Sequence, residues 1–249
     1  AGFIGLSLIT HLSNGVYYEN FWKEQQKLWW QLTWRAPGIE PDTTIIPILQ
    51  GNYFLAEGYE IWGPANRIYF PKEKNIILSG EVLNSDTLTL IQSQYKYGKV
   101  FRTFDYVVDF SRSLIVSLPG NGSCLHVLGG EILEISGNET AGARLLAPIS
   151  KPQLITPFQP GVTPPKEIFG SEPPHDWCYF YQKISLERQK KDWNSAVKLA
   201  NEALALDLEP MDPSEWMPLY ESYFHFGDMD KVNEIGGILR ATPEFILPY

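Results

Sequence analysis

The sequence has no apolar run long enough to cross a membrane, and it contains few cysteines. No uninterrupted apolar stretch approaches the roughly 20 residues that a membrane-spanning helix requires. The two cysteines exclude a disulfide-dense scaffold and a zinc site built from four thiolates. Cys124 and Cys178 can still form one disulfide, which would stabilise the fold by about 4 kcal/mol through the loop that it closes. The alternative is a pair of buried thiols in a reducing compartment.

Positive charge is also in short supply. The chain has 20 lysines and arginines against 29 acidic residues, which gives a net charge of -9. A surface of this sign repels a phosphate backbone, so nucleic acid is not expected as a partner. The 249 residues are nevertheless 44% hydrophobic and 14% aromatic, which is ample for a buried core.

The familiar catalytic and phosphate-binding motifs are missing as well. The sequence contains no G-x-S-x-G, no H-E-x-x-H, no P-loop and no dinucleotide-binding glycine pattern. His175 and Cys178 can share one helical turn, but His11, His126 and His225 offer no second pair at metal-binding spacing. We therefore predict no metal, no cofactor and no catalytic residue.

The most informative stretch that is present runs from Tyr17 to Pro41. At helical spacing its apolar residues form two adjacent stripes that cover more than half of the circumference. A surface helix needs only about 100° of apolar surface. We expect this helix to lie between two layers of the protein, or between one layer and a partner or membrane boundary, and to end at Ala36-Pro37-Gly38.

The tryptophans of this region have two interpretations. They can belong to a core helix, because indole rings usually bury area in the interior. They can also form a surface for stacking sugars or for contacting a partner. The second interpretation nominates four residues as a ligand or partner surface: Trp22, Trp30, Trp34 and Trp62.

The first ten residues, AGFIGLSLIT, form a short apolar segment of their own. They lack the basic residues and the cleavage site of a signal peptide. We expect them to be the end of a transmembrane helix whose remainder lies outside this chain, with a buried first strand or helix as the alternative. The first expectation implies a domain that is membrane-anchored through its N-terminal side and lies outside the cytoplasm.

The patterning of the remaining chain predicts an α+β fold, in which a mixed α/β sheet with antiparallel hairpins is followed by a small α-helical part. Strands are predicted at 43–49, 75–78, 100–110, 113–118, 125–128 and 131–135, the last two joined by a Gly129-Gly130 turn. Helices are predicted at 86–97, 177–190, 194–206, 214–226 and 229–241. The predicted domains are 1–140 (mixed α/β, with the Trp-rich helix), 141–174 (a proline-rich strap) and 175–249 (helical).

The helical part resembles the tetratricopeptide family. The Asp192-Trp193 turn, followed by Ala196, Ala200 and Ala203, resembles the second helix of such a repeat, and Gly227-Asp228 resembles the turn inside a second repeat. Two repeats are fewer than the three or so that a free-standing solenoid needs. The resemblance therefore implies that these helices pack against the first domain.

The order of segments along the whole chain suggests a broader likeness. The succession of WWQLTWRAPG, a strand, an α/β segment, a proline strap ending in His175-Asp176-Trp177-Cys178 and a repeat-like tail resembles the C-terminal extramembrane region of multi-spanning bacterial membrane proteins similar to polyprenyl-dependent glycosyltransferases. The catalytic acids of that superfamily lie in loops between membrane helices, so none can be carried over to residues of this sequence.

The apolar start and the repeat-like tail together lead us to expect a non-catalytic, extracytoplasmic C-terminal domain of a multi-pass bacterial membrane protein, which presents a partner or substrate. Its main partner would be the membrane-embedded part of the same protein, with another protein or a glycan as a further partner. A carbohydrate-binding or accessory domain of a membrane glycosyltransferase is the alternative. An enzyme whose site is assembled from dispersed residues is the third hypothesis.

Overall fold

The computed structural model describes residues 2–50, 55–120, 122–129 and 135–241, and it describes side-chain exposure from residue 7 onward. Its strands are β1 Thr44–Leu49, β2 Ser79–Gly80, β3 Lys96–Phe101, β4 Phe104–Asp109, β5 Ser113–Leu118 and β6 His126–Val127. Its helices are α1 Gly2–Arg35, α2 Tyr59–Tyr69, α3 Ser85–Gln92, α4 Ala141–Leu146, α5 Lys166–Phe169, α6 Trp177–Lys190, α7 Trp193–Ala205, α8 Met217–Phe226 and α9 Met229–Ala241. The fold is mixed α+β with a C-terminal helical part, as the sequence predicts.

The main sheet has four strands in the order β2-β1-β5-β6. Strand β1 runs parallel to both of its neighbours, and β6 is antiparallel to β5. Side chains alternate between two cores along β1, so that Ile45 packs with α1 and α2, whereas Ile46 packs with α3, α4 and the separate β3-β4 hairpin. Burial on both faces explains the continuous apolar character of β1 and β5.

Pro47 lies in β1 at a point where the strand has a neighbour on one side. The carbonyl of Ile45 accepts from the Glu81 N–H on the β2 side, and Pro47 faces the same side because backbone groups alternate along a strand. Strand β2 pairs with Thr44 and Ile45 and does not extend to Pro47. The missing N–H of the proline therefore falls at a local edge of the sheet, where a strand tolerates it.

Helix α1 is a single helix of 34 residues, about 51 Å long. Its C-terminal half is buried between the sheet and α6, through Leu28, Trp29 and Leu32. This half lies between two layers and ends before Pro37, as the sequence predicts. Residues 7–19 are exposed, and the helix continues through them without interruption.

Several predicted boundaries are wrong. Residues 75–78 are not a strand, and the short strand β2 follows them. The helix predicted at 86–97 ends at Gln92, since Lys96 begins β3, and the strand predicted at 100–110 is divided by a turn with Arg102 at φ 56°. The predicted strand at 131–135 lies mostly outside the described residues.

Two proline-containing segments contain helices. Pro64 does not interrupt α2, because the apolar face of that helix is buried on the sheet and the Asn66 side chain binds the backbone of Ile77 and Leu78. The segment 141–174 is not wholly extended. It contains α4, α5 and two short 3-10 turns, and Ile155 and Phe169 from it are buried in the core beside α1.

The C-terminal part has the helices that its periodicity predicts. Helices α6 to α9 pack around a core that contains Trp177, Ala200, Leu219 and Tyr223, and α6 also contacts α1. A short 3-10 turn, Pro213–Trp216, precedes α8, so that helix begins a few residues later than predicted. Gly227, with a φ of +91°, ends α8 in the left-handed conformation that glycine favours.

The close contact between β2 and α2 yields a stability prediction. A Cβ at Gly80 would lie 2.6 Å from the Ile61 side chain and 2.9 Å from the Trp62 backbone nitrogen. We expect Gly80→Ala to lower the free energy of unfolding by about 1–3 kcal/mol, measured by urea denaturation. Gly237→Ala in α9 is the control, because nothing outside its own helix and chain neighbours lies within 4 Å of its added Cβ, and helix propensity should stabilise it slightly. Equal stability of the two variants would contradict this packing.

Candidate functional site

One face of the buried half of α1 forms the wall of a cavity of about 510 Å³. The residues on this face recur at intervals of three and four, as a single helical face requires. They are Lys23, Gln26, Lys27, Trp30, Gln31 and Trp34. We call this space the α1 cavity.

The other walls come from three distant segments of the chain. They are Gly122, the stretch Phe169-Gly170-Ser171 with Pro173, and the start of α6 at Asp176 and Cys178. The indole N–H of Trp30 donates to the Phe169 carbonyl at 3.1 Å, which fastens the second segment to α1. Gly170 has a φ of +72° and carries the chain past Gln26.

The four tryptophans nominated from the sequence do not form one exposed surface. Trp30 and Trp34 are buried and present only a small part of their rings to the α1 cavity, and the indole N–H of Trp34 donates to the Glu172 carboxylate at 2.9 Å. Trp22 is half-buried and stacks on Phe169. Trp62 is half-buried among the aromatic rings of the β3-β4 hairpin, apart from the others.

Cys124 and Cys178 are joined in a disulfide, with 5.2 Å between their Cα atoms. The bond connects the loop before β6 to the first turn of α6, so it links the sheet to the helical part. Cys178 also lines the α1 cavity. One wall of the cavity is thereby covalently attached to the sheet.

A buried charged cluster lies against this disulfide. We use that name for His126 of β6, Glu139 of the following loop, and Asp212 and Glu215 around the 3-10 turn before α8. His126 lies between two carboxylates, with Nε2 3.3 Å from Glu215 Oε1 and Nδ1 3.5 Å from Glu139 Oε1. The side chains of these three residues are almost entirely buried.

The carboxylates of the cluster receive hydrogen bonds from several parts of the chain. Glu215 accepts from the Cys124 N–H at 2.6 Å and from the Trp177 indole at 2.7 Å. Asp212 accepts from the hydroxyls of Ser123, Ser136 and Ser214, and Glu139 accepts from Ser117 at 2.6 Å. Such donors are the usual condition for keeping a charge inside a protein.

Protonation in the cluster follows from these contacts. Burial lowers the pKa of His126, but the Glu139, Glu215 and Asp212 carboxylates outweigh it and raise the pKa to about 9. Burial raises the pKa of Asp212, and the serine donors with the His126 charge hold it below its usual range. At neutral pH the cluster therefore contains an imidazolium ion at His126 and an ionised carboxylate at Asp212.

The same cluster contains the donor types of a metal site. His126, Asp212 and Glu215 each offer one ligand atom, and these atoms lie within 4.8 Å of one another. A cation would have to displace the His126 proton, and the carboxylates already accept donors from backbone, serine and tryptophan. The geometry is that of a charge network linking the sheet to the helical part, and we assign it a structural role.

Sequence reasoning missed this cluster because its members are far apart along the chain. His126 and Glu215 are separated by 89 positions. The available signal was local and ambiguous, since Asp212-Pro213-Ser214-Glu215 is also an ordinary helix start, and in fact Asp212 accepts from the Ser214 N–H as a cap. The fold brings this cap to His126.

Comparisons with known proteins add no relative: no family model, no curated protein and no solved structure matches the chain.

The disulfide yields a prediction for stability and for thiol content. The protein purified from its native compartment without reductant should contain no free thiols when denatured. Replacing both cysteines, Cys124→Ala with Cys178→Ala, should lower the free energy of unfolding by about 2–4 kcal/mol, because the bond spans 54 residues. Reductant should destabilise the wild type and leave the double variant unchanged. Two titratable thiols in the native protein would contradict the pairing.

His126 yields a prediction for pH dependence. Its pKa is raised on folding, so its contribution is complete below pH 6.5 and is lost as the pH rises through about 9. The lost stability is on the order of 3 kcal/mol, measurable by urea denaturation at several pH values. Glu139→Gln removes one carboxylate partner and should reduce this loss, whereas the exposed Glu167→Gln is a control that should retain it. Identical pH profiles for wild type and Glu139→Gln would contradict the assignment.

Proposed function

We propose that the chain is the non-catalytic, extracytoplasmic C-terminal domain of a multi-pass bacterial membrane protein, where it presents a partner or substrate to the membrane-embedded part. The observation that carries the proposal is the exposed first half of α1. Residues 7–19 are exposed along this part of the helix, and no Asp, Glu, Lys or Arg occurs before Glu19. An uncharged, exposed helical segment suits an apolar environment better than bulk water.

The large apolar side chains of this segment lie on one side of the helix. Leu8, Ile9, Leu12 and Val16 are all well exposed, and at 100° per residue they fall within a stripe about 100° wide. An amphipathic stripe of this kind can lie in the boundary between lipid and water. Within the described residues, no helix has the length and hydropathy needed to span a bilayer.

Aromatic and charged residues follow the apolar stripe in the order found at a membrane surface. Tyr17 and Tyr18 form an edge-to-face pair at the end of the uncharged part. Tyrosine is enriched at membrane–water interfaces because its ring is apolar and its hydroxyl is polar. The first ion pair, Glu19 with Lys23 at 2.7 Å, comes one turn later, where the helix approaches the folded body.

The disulfide supports the proposed side of the membrane. Disulfides persist outside the cytoplasm and are rare in reducing compartments. The bond between Cys124 and Cys178 joins the two main parts of the fold, so a domain that depends on it suits an oxidising environment.

Vesicle flotation tests the proposal. The chain should float with zwitterionic phosphatidylcholine vesicles, which avoid the repulsion that anionic lipid would exert on a net charge of -9. Leu12→Glu should lower the partition coefficient, measured over a series of lipid concentrations, at least tenfold, since burying a leucine contributes about 1.5–3 kcal/mol and each 1.4 kcal/mol is about tenfold in affinity.

Leu206→Glu is the matched control. Leu206 is 61% exposed and Leu12 is 63% exposed, but Leu206 lies at the end of α7. This variant should float like the wild type. A membrane role for α1 would be contradicted if the wild type did not float, or if both variants lost flotation equally. It would also be contradicted if light scattering showed a stable dimer that Leu12→Glu dissociates.

A further inference from the structure

The α1 cavity has the dimensions and the mixture of side chains of a small-molecule site. Its volume of about 510 Å³ falls within the range of about 300–1,000 Å³ typical of ligand pockets. From Lys23 to Trp34 the helix rises about 16 Å. This length accommodates one or two sugar rings with a substituent.

The end of the cavity nearest the exposed half of α1 carries positive charge. Lys23 and Lys27 lie one turn apart on the lining face, and Lys23 is paired with Glu19. Lys27 Nζ is 3.4 Å from the Ser123 carbonyl, and among the described residues no carboxylate oxygen comes within 4.0 Å of it. An ammonium group that is partly buried and lacks a carboxylate partner favours an anion beside it.

The opposite end carries a carboxylate next to aromatic rings. Asp176 lines the cavity beside His175, whose ring packs edge-on against Trp34. The indole N–H groups of Trp30 and Trp34 already donate to protein acceptors. What these tryptophans offer a ligand is therefore apolar ring surface, while Asp176 offers an acceptor for hydroxyl groups.

The middle of the cavity is lined by amides. Gln31 Oε1 accepts from the Leu125 N–H at 2.6 Å and from the Gln182 side chain, which fixes the orientation of its amide. Gln26 lies beside Gly170, on the same helical face one turn earlier. Amide groups can both donate to and accept from hydroxyls, and this suits a polyhydroxylated ring.

We propose that the α1 cavity binds a small anionic sugar, with its phosphate or carboxylate at Lys27 and its ring against Trp30 and Trp34. Such a sugar would be the molecule that the domain presents. Only this biological role, and not the binding itself, rests on the proposed function. A simple anion would fill one end of the cavity and face Asp176 unfavourably at the other. A neutral sugar would leave Lys27 without a counterion.

Isothermal titration with a panel of hexose 6-phosphates and hexuronates tests the assignment, with glucose and inorganic phosphate as the two partial ligands. At least one member of the panel should bind, and its affinity should exceed that of either partial ligand by tenfold or more. No response from the entire panel at millimolar concentration would overturn the proposal, as would equal binding of inorganic phosphate alone.

Variants locate the binding. Lys27→Gln should weaken the affinity about tenfold, and Ser171→Trp, at an exposed rim position, should block it by filling the cavity. Lys74→Gln, which removes an exposed lysine remote from the described cavities, should bind as the wild type does. Retained affinity in both Lys27→Gln and Ser171→Trp would overturn the site.

A second cavity of about 520 Å³ provides an internal comparison, because it is also basic. It is lined by Arg35, Arg188 and Lys191 around the stacked rings of Trp193 and His225. Lys191→Gln should leave sugar binding unchanged. Loss of binding in Lys191→Gln with retention in Lys27→Gln would assign the anion to the second cavity and overturn the proposal.

The same chemistry can be supplied by a free sugar phosphate or by the headgroup of a phosphoinositol lipid. Titration in the Leu12→Glu background separates this site from membrane attachment, since that variant lacks the apolar stripe but keeps the cavity. Binding of the free ligand there supports the site even if flotation fails. If the protein binds vesicles that contain phosphatidylinositol but not phosphatidylcholine vesicles, and Lys27→Gln abolishes this binding, the ligand of the site is a lipid headgroup.

Discussion

The burial of the Glu215 carboxylate is the constraint on which the arrangement of this protein depends. A carboxyl group buried without hydrogen-bond partners is costly, so Glu215 needs its partners where the helical part packs on the sheet. Those partners are the Cys124 backbone, the His126 ring and the Trp177 indole. The sheet and the helical part therefore fit together in one register, because displacement of either one would leave a buried polar group without partners.

The same junction also fixes the α1 cavity. Cys178 follows Trp177 at the start of α6 and is bonded to Cys124, so the α6 wall of the cavity is held where the charged cluster is held. Gln31 connects α1 to this junction through Leu125 and Gln182. The cavity is thus bordered by elements whose relative positions are determined by buried polar contacts. Preorganisation of this kind lowers the cost of ordering a site when a ligand binds.

Local patterns were sufficient to predict the elements that are stabilised locally. The helical periodicity from Trp177 onward located α6, α7 and α9 to within a residue or two, and the apolar segment from Ser113 to Leu118 located β5, because burial follows these patterns directly. Strand β2 was misplaced because it is two residues long and exists through pairing with Thr44 and Ile45. The charged cluster and the cavity could not be predicted, because both are made by contacts between segments far apart in the sequence. The sequence identified the helix cap at Asp212 and the tryptophans of α1, but it did not show which distant residues contact them.

Helix α1 carries the exposed apolar stripe and the cavity face in one continuous helix, so under the two proposals it would link attachment to binding. Its apolar stripe ends near Val16, its first ion pair includes Lys23, and its cavity face continues from Lys23 to Trp34. The rise from Val16 to Lys23 is about 10 Å, so a membrane boundary along the stripe would place the lysine end of the cavity within about a Debye length of the lipid surface. A ligand presented there would have its anionic end towards the membrane and its ring towards the body of the domain. The buried junction then holds the cavity at a fixed height along α1, because the turns of the helix that carry the cavity face are packed between the sheet and α6.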